Sequence, residues 1–327
     1  MVWAILRGSG AVRPDITVII TTYNQPFEVV ARSLRSVLLQ EEVSPEVVIA
    51  DDHSEVDLSE RYRDFFERAG FEAYRIVRHD ENIKTVLNLA DGLSSAAAPY
   101  VKPIDAGDLL ASGHSLRDIL SFCRSNEVRA GFGDIRRFVR DPHGGWSQMP
   151  YHAPRELSLF EDQSPEGRRA LLLHEMETDD WIPAPAQFYR TEYYQELLYR
   201  LSDSYGVQYC QDFTSVLALV DGPVVHLPQT IYWYEWGTGI STNGRHSSRK
   251  RLYDDHLRFF RGLAQERPLC ASLSKAYARF RAKRLVALYA PLYLALVRLA
   301  GTGSDVSEPL EDPFFLNCVS DIVISSS

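Results

Sequence analysis

The first hundred residues alternate short apolar runs with segments of helical periodicity, and this alternation is the strongest constraint on the fold. Four runs rich in apolar and β-branched residues predict strands: 16–22, 46–50, 72–78 and 100–104. The segments between them carry apolar residues at helical spacing and predict helices: 27–39, 58–69 and 83–95. Strands that alternate with helices are typical of a parallel sheet joined by right-handed crossovers. The sequence therefore predicts an α/β fold.

Two of the predicted strands end in acidic turns. Asp51 and Asp52 follow the second strand, and Asp105 and Asp108 follow the fourth, where Gly107 favours a tight turn. The carboxyl ends of parallel strands meet at one edge of a sheet, where open α/β folds bind their ligands. Oxygen ligands in such a cluster suit Mg²⁺ or Mn²⁺ together with a bound phosphate. The alternative is that these aspartates are turn formers and helix caps.

Composition and missing motifs narrow the classes of function. The 327 residues carry a net charge of −9, which argues against a nucleic-acid-binding protein. The turn after the first strand has neither a phosphate-binding P-loop nor a glycine-rich dinucleotide motif, which disfavours both enzyme classes. The four cysteines are far apart in the sequence, which predicts a reducing, cytoplasmic environment. No apolar run reaches the roughly 18 to 20 residues of a membrane span.

Four stretches of the first half, taken in order, resemble the family 2 glycosyltransferases, inverting enzymes of the GT-A fold that use nucleotide-diphosphate sugars. They are PDITVIITTYNQP, VVIADDHS, HDENIKTVLNLADGL and the segment that ends in IDAGD. The resemblance implies a mixed, mainly parallel sheet flanked by helices. It also implies a nucleotide-diphosphate sugar as donor and Mn²⁺ or Mg²⁺ as cofactor.

The resemblance gives roles to residues of the nucleotide-binding half. Thr21, Tyr23 and Asp52 match positions that contact the nucleotide base, and Asp51 lies beside them. Lys84 matches a basic residue near the base or the phosphates. A tyrosine face and a carboxylate suit uracil or thymine, which present an N–H between two carbonyl groups. A UDP- or dTDP-sugar is therefore the favoured donor.

The acidic motif of the fourth strand matches the family's carboxylates for metal and ribose. Asp105 and Asp108 occupy this motif, and Asp108 is expected to be the direct metal ligand. Many members carry a further aspartate where this chain has Gly107, and many place a metal-binding histidine near Trp236. The third ligand is therefore either absent or supplied by His246.

The second half contains the predicted catalytic base. Residues 208–220 predict a helix with Gln211 and Asp212 in its first turn, where family members usually carry Glu-Asp. The resemblance implies that Asp212 takes the proton of the acceptor hydroxyl as that oxygen attacks the anomeric carbon. The alternative is that Asp212 only stabilises the start of a helix.

Acceptor-binding residues are expected in two places. Asp180 and Trp181 lie in an acidic loop, and Gln187 begins the stretch QFYRTEYY, which lines the cleft in similar family members. Trp236 follows a Tyr-rich predicted strand. Tryptophan rings stack on sugars, and carboxylates accept hydrogen bonds from sugar hydroxyl groups. The alternative for the acidic loop is an exposed surface with a packing tryptophan.

A Gly/Ser-rich run up to Ser248 resembles a lid that closes over the diphosphate, with Ser241, Arg245 and His246 as its contacts. A plain surface loop is the alternative. Other predicted elements complete the second half: a strand at 129–139, a loop at 141–165, short strands at 223–227 and 230–234, and helices at 250–266 and 271–299.

Three regions are predicted: a nucleotide-sugar-binding half at 1–110, an acceptor-binding half at 111–248 and a helical region at 249–327. In the last region, 279–298 carries basic residues followed by an apolar run. It predicts either peripheral contact with the inner face of a membrane or a helix that packs internally or in a homodimer.

The leading hypothesis is an inverting, metal-dependent glycosyltransferase that acts on a glycan or lipid-linked acceptor in bacterial-type polysaccharide or cell-surface glycan biosynthesis. One alternative is a sugar-nucleotide-binding scaffold or partner subunit without catalytic activity, which Gly107, Gln211 and Trp236 favour. A sugar-phosphate nucleotidyltransferase is the other. That class expects a glycine-rich basic loop where this chain has TYNQ.

Overall fold

The computed structural model describes residues 13–140, 144–178, 180–239, 242, 246–266, 278–279 and 308–320. The predicted strands of the first half form the parallel part of its sheet: β1 (Ile16–Thr22), β2 (Pro45–Asp51), β3 (Tyr74–Arg78) and β4 (Tyr100–Asp105). They lie in the order β3-β2-β1-β4. Every residue of β1 is buried, as a continuous run of Ile, Val and Thr requires in a parallel strand covered on both faces.

The connections between these strands are helices, as their periodicity predicts: α1 (Phe27–Leu38), α2 (Ser59–Arg68) and α3 (Lys84–Leu93). Their buried positions recur at helical spacing. In α1, for example, Val30, Leu34 and Val37 are fully buried in the main core. The predicted parallel α/β half is therefore confirmed, with boundaries that differ by one or two residues at most ends.

The second half extends the sheet with strands β5 (Leu109–Leu110), β6 (Ala130–Arg140), β7 (Trp146–Met149), β8 (Gln187–Arg190), β9 (Val225–Glu235) and β10 (Glu308–Pro309). Strand β8 pairs antiparallel with β4, and β6 pairs antiparallel with β8. Strand β9 runs parallel to β6 and antiparallel to β5. The result is a mixed sheet in which the parallel edge and the second half share one layer.

The helices of the second half are α4 (Ser115–Ser125), α5 (Pro165–Thr178), α6 (Thr191–Tyr205), α7 (Phe213–Asp221), α8 (His246–Glu266) and α9 (Pro313–Val319). Two short 3-10 turns lie at Leu157–Phe160 and Ala184–Ala186. Helix α9 packs Phe315 against Phe138 of β6 and Trp233 of β9, with ring centroids 4.9 and 5.6 Å apart. This small second core attaches the end of the chain to the sheet.

Three local predictions are wrong. Residues 141–165, predicted as loop, contain β7 and a 3-10 turn. The two short strands predicted around Pro228 are one strand, β9, which continues through that proline because a register irregularity against β6 absorbs it. The helix predicted at 208–220 begins only at Phe213, because the buried Asp255 carboxylate accepts the N–H groups of 208, 209 and 210.

The predicted helix 271–299, with its 279–298 stretch, lies outside the described residues apart from positions 278 and 279. None of the helices in the described ranges has the length and apolar character needed to cross a membrane.

Candidate active site

A cavity of about 940 Å³ opens at the carboxyl ends of β1, β2 and β4. It therefore lies where the geometry of a parallel sheet places a ligand site. The predicted site residues that line it are Thr21, Tyr23, Asp52, Lys84, Asp105, Asp180, Trp181, Asp212 and Trp236. Among the described residues, Asp51, Asp108 and Gln187 were also predicted but lie behind this lining.

At one end of the cavity, Asp52 holds the start of α3. Its Oδ1 accepts the N–H of Ile83 at 2.7 Å, and its Oδ2 accepts the N–H of Lys84 at 3.1 Å. Burial raises the pKa of Asp52, and these two hydrogen bonds oppose the rise. Lys84 has a φ of 73°, which is unfavourable for a residue with a side chain. Its Nζ donates to the carbonyl oxygen of Asn82 at 2.9 Å.

Asp51, which was predicted to lie beside the nucleotide base, has a structural role in this fold. Its carboxylate accepts hydrogen bonds from the N–H and hydroxyl of Ser54 at 3.0 and 2.5 Å, and it forms an ion pair with Arg78. The side chain is buried. It therefore fixes the turn that presents its neighbour Asp52 to the cavity.

Two tyrosines stand at this end of the cavity. Tyr23 is 49% exposed, so its ring is available to a ligand. Tyr209, which the sequence did not single out, also lines the cavity and feels the charge of Asp52. The segment of Tyr209 is held by Asp255, whose Oδ2 accepts the Tyr209 N–H at 2.6 Å. Tyr209 belongs to no sequence motif, so no local signal marks it.

The acidic turn after β4 directs only its first aspartate into the cavity. Asp105 accepts the hydroxyl of Thr21 at 2.6 Å and a hydrogen bond from the side chain of Gln211. Burial raises the pKa of Asp105, against these hydrogen bonds. Asp105 and Thr21 stand on neighbouring strands, β4 and β1, at paired positions of the ladder.

Asp108, predicted as the direct metal ligand, lies behind the cavity and is 3% exposed. Its Oδ2 accepts the hydroxyl of Tyr232 at 3.0 Å, and its Oδ1 accepts the N–H of Glu235 at 2.7 Å. Burial, together with the charge of Asp105, raises the pKa of Asp108 well above its ordinary value. The carboxyl group therefore ties the acidic turn to β9.

Gly107 is required by the shape of this turn. Its φ is 105°, and a Cβ at this position would lie 2.6 Å from Oε2 of Glu235. Glu235 in turn pairs with Arg32 of α1 at 3.2 Å. The space that another family member would fill with an aspartate is therefore occupied here by a buried ion pair.

The described residues contain no group of three His, Cys, Asp or Glu side chains able to hold a metal ion. Of the predicted pair of carboxylates, only Asp105 opens to the cavity. A divalent cation needs one or two carboxylates together with ligand phosphates. The described residues therefore do not fit the two-carboxylate site that the resemblance implied.

A buried lysine lies next to the acidic turn that follows β4. Lys102 of β4 is fully buried, and its Nζ donates to the carbonyl oxygens of Pro103 and Pro185 at 2.9 and 2.7 Å. Burial lowers the pKa of Lys102 to about 7, while Asp108 and Asp105 oppose this shift. The contact with Pro185 connects β4 to the 3-10 turn at Ala184–Ala186.

The 3-10 turn at Ala184–Ala186 positions Asp212, the predicted catalytic base. Oδ1 of Asp212 accepts the N–H of Ala184 at 2.6 Å, and Gln187 donates to the Asp212 carbonyl oxygen at 3.2 Å. Burial raises the pKa of Asp212 to about 6, and the charge of Asp105 contributes to the rise. Asp212 immediately precedes α7 rather than lying in its first turn. Gln187 is buried and positions Asp212 rather than facing a ligand.

The predicted acceptor residues have protein partners. Asp180 accepts the N–H of Arg155 at 2.9 Å, and its pKa is lowered because such hydrogen bonds outweigh its burial. Trp181 stacks on Phe260 with ring centroids 5.3 Å apart. The ring of Trp236 lies 3.8 Å from the guanidinium carbon of Arg137. All three side chains line the cavity, but the rings of Trp181 and Trp236 are already in contact with neighbours.

Of the predicted lid, Ser241 and Arg245 lie outside the described residues, as does the side chain of His246. The described residues around this gap include Thr238, Gly239, Thr242 and Ser248, and all four line the cavity. The N–H of Gly237 donates to the hydroxyl of Thr242 at 3.0 Å.

Comparison with known proteins identifies the class. The model of glycosyl transferase family 2 matches residues 17–184, which is just over half of the chain, and the chain belongs to this family. Its fold is the GT-A fold. A search of curated proteins found no match.

Solved structures with a similar fold include TarS and a mannosyltransferase. The structure of S. aureus TarS is 16% identical with a TM-score of 0.56, over 86% of this chain and 45% of TarS. A mannosyltransferase from Pyrobaculum calidifontis, solved with GDP-Man and Mn²⁺, is 19% identical with a TM-score of 0.55, over 90% of this chain and 77% of that protein. At these identities the likeness shows the fold, and the chain spans less than half of the TarS structure.

Proposed function

We propose that the protein moves a sugar from a nucleotide-diphosphate donor to an acceptor hydroxyl with inversion, and that Asp212 is the general base. The observation that supports this most directly is the placement of Asp212 in the same cavity as Tyr23, Lys84 and Asp105. The acceptor oxygen attacks the anomeric carbon while its proton passes to the Asp212 carboxylate. The bond from that carbon to the phosphate oxygen breaks, and the nucleoside diphosphate leaves with the electron pair.

The environment of Asp212 suits this role. A general base is most effective when its pKa lies near the working pH, and burial brings the pKa of Asp212 to about 6. At neutral pH the group is therefore ionised yet basic enough to accept a proton. The hydrogen bond from Ala184 fixes one carboxylate oxygen and leaves the other to face the acceptor.

The donor is proposed to place its base at Tyr23 and Tyr209. Aromatic rings stack on nucleobases, and Tyr209 and Tyr23 lie close enough to interact electrostatically. Asp52 would share its carboxylate between a base N–H and the start of α3. UDP- or dTDP-sugars are the first candidates; a truncated form of TarS was solved with UDP-GlcNAc, and the mannosyltransferase with GDP-Man.

The acceptor is proposed to be a glycan or a lipid-linked sugar, as in polysaccharide or cell-surface glycan biosynthesis. Mn²⁺ or Mg²⁺ would have Asp105 as its one described carboxylate from the predicted pair, together with oxygens of the donor.

Binding and turnover test this function. Calorimetric titration with UDP, dTDP, GDP and CDP, each with Mn²⁺ and with EDTA, should show tight binding of one nucleotide. The matching sugar nucleotides are then assayed for turnover in the wild type, Asp212→Asn and Asp221→Asn. Asp221 ends the same helix, α7, and pairs with Arg200, so its variant is the matched control.

We expect Asp212→Asn to keep nucleotide binding and lose turnover, while Asp221→Asn keeps both. Binding of no nucleotide would refute the donor site. Nucleotide binding without turnover of any donor by the wild type would favour a catalytically inactive scaffold instead.

A further inference from the structure

An arginine side chain lines the cavity, although its strand belongs to none of the sequence motifs. Arg137 belongs to β6 and lines the cavity. Its guanidinium carbon lies 3.4 Å from the ring centroid of Tyr151 and 3.8 Å from that of Trp236. A guanidinium can stack on aromatic rings through its flat faces and still donate hydrogen bonds from the N–H groups in its plane, one of which goes to the Tyr151 hydroxyl. The two rings therefore hold a planar set of donors in a restricted orientation.

Arg137 lies at the end of the cavity that holds Asp212, the proposed general base. The hydroxyl of Tyr151, which packs on Arg137, feels the charges of Arg137, Asp212 and Asp180. The proposed nucleobase-binding residue Tyr23 follows β1, and Lys84 begins α3, so both come from other elements. An anion that reaches Arg137 is therefore closer to the acceptor than to the nucleobase.

The neighbouring arginine shows what is particular to Arg137. Arg136 is exposed, lies 5.7 Å from the ring of Trp233 and does not line the cavity. Successive residues of a strand face opposite sides, so Arg136 has the same charge and chain location but a different surface. The chain as a whole carries a net charge of −9, so a guanidinium in the cavity is not part of a general basic surface.

We propose that Arg137 binds an anionic group of the acceptor, a phosphate or a carboxylate, and that the acceptor is therefore an anionic glycan rather than a neutral sugar. Guanidinium N–H groups match the paired oxygens of both anions. This inference rests on the proposed glycosyl transfer. It also changes the predicted role of Trp236, whose ring contacts Arg137 and orients it instead of stacking on a sugar.

The first test measures binding by calorimetry. Wild type, Arg137→Gln, Arg137→Lys and Arg136→Gln are titrated with the nucleoside diphosphate that the wild type binds. With that nucleotide at saturation, each protein is then titrated with inorganic phosphate and with acetate. Hydrogen bonds to charged groups are worth about 1.5–3 kcal/mol, so Arg137→Gln should weaken anion binding about tenfold or more.

The expected pattern is specific to this site. Arg137→Lys should retain part of the affinity, Arg136→Gln should match the wild type, and nucleotide affinity should stay within about twofold in all four proteins. Comparison of phosphate with acetate shows which anion the site prefers. Turnover with paired acceptor sugars, neutral, phosphorylated and carboxylated, should then favour the anionic member in the wild type and lose that preference in Arg137→Gln.

Four results would overturn the inference. The anion site would be refuted if phosphate and acetate bind Arg137→Gln as tightly as they bind the wild type. It would also be refuted if these anions bind neither protein. A fall in nucleotide affinity in Arg137→Gln would assign Arg137 to the donor diphosphate instead. Equal turnover of neutral and anionic acceptors would remove the acceptor assignment. If the wild type binds no nucleotide, the proposed function fails, and titration with phosphate alone still decides whether Arg137 binds an anion.

Discussion

Replacement of Asp212 by asparagine should separate the chemistry of the cavity from the stability of the fold. Burial is the main reason that the pKa of Asp212 rises from its ordinary value of 3.8 to about 6. Between these two pH values the folded protein binds more protons than the unfolded chain, so stability falls as pH rises through this range. Above pH 6 the full cost of the buried charge, about 3 kcal/mol, is present.

Asparagine removes this charge and keeps an oxygen that can accept the N–H of Ala184. We therefore expect Asp212→Asn to raise the free energy of unfolding by about 3 kcal/mol at pH 7.5 and by about half as much at pH 5. Loss of a general base should reduce kcat by about 10²- to 10⁴-fold. In the wild type, kcat should fall below pH 6 as Asp212 takes up a proton.

Urea unfolding at the two pH values and turnover assays measure these effects. Asp255→Asn is a control for which the free energy of unfolding should change in the opposite direction. Asp255 is buried, accepts hydrogen bonds from three backbone N–H groups and forms an ion pair with Arg258. Its replacement should lower stability. The reasoning is refuted if Asp212→Asn is no more stable than the wild type at pH 7.5, or if its kcat is unchanged.

Three further predictions concern the cavity. Gly107→Asp should lower the free energy of unfolding by about 2 kcal/mol or more, because φ is 105° and Glu235 occupies the space; a stable variant with increased Mn²⁺ binding in calorimetry would contradict this. Asp108→Asn should leave nucleotide affinity in Mn²⁺ within about twofold, because its oxygens bond to Tyr232 and Glu235; a large loss would restore Asp108 as metal ligand. Tyr209→Ala should weaken nucleotide binding about tenfold by calorimetry, since stacking on a base is worth about 1–3 kcal/mol; unchanged affinity would remove Tyr209 from the site.

Local sequence patterns predicted the elements of the first half because each pattern has a local cause. A run such as 16–22 consists only of the β-branched residues Ile, Val and Thr, and a strand buried on both faces accommodates it. The segment 27–39 is apolar at every third or fourth position, which suits a helix with one buried face. Predictions failed where a distant residue decides the local structure, as Asp255 does at the start of α7.

The candidate site was predictable in its location but not in its contacts. Asp105, Asp52 and Asp212 were identified from the resemblance, and the structure brings them to one cavity. Tyr209 and Arg137 were missed because neither belongs to a motif. Arg137 contacts Tyr151 and Trp236, which lie 14 and 99 positions further along the chain, outside its strand.

By itself, the sequence determined that strands and helices alternate, and hence that two acidic turns meet at one edge of a parallel sheet. Periodicity is a property of neighbouring residues, and crossovers through helices give consecutive strands the same direction. Only the tertiary structure decided which carboxylate of the second turn faces a ligand. Asp105 and Asp108 are three residues apart, yet Asp108 bonds to Tyr232 and Glu235, more than 120 positions further along the chain. Burial and hydrogen-bond partners set the role of an acidic side chain, and both depend on elements brought together by folding.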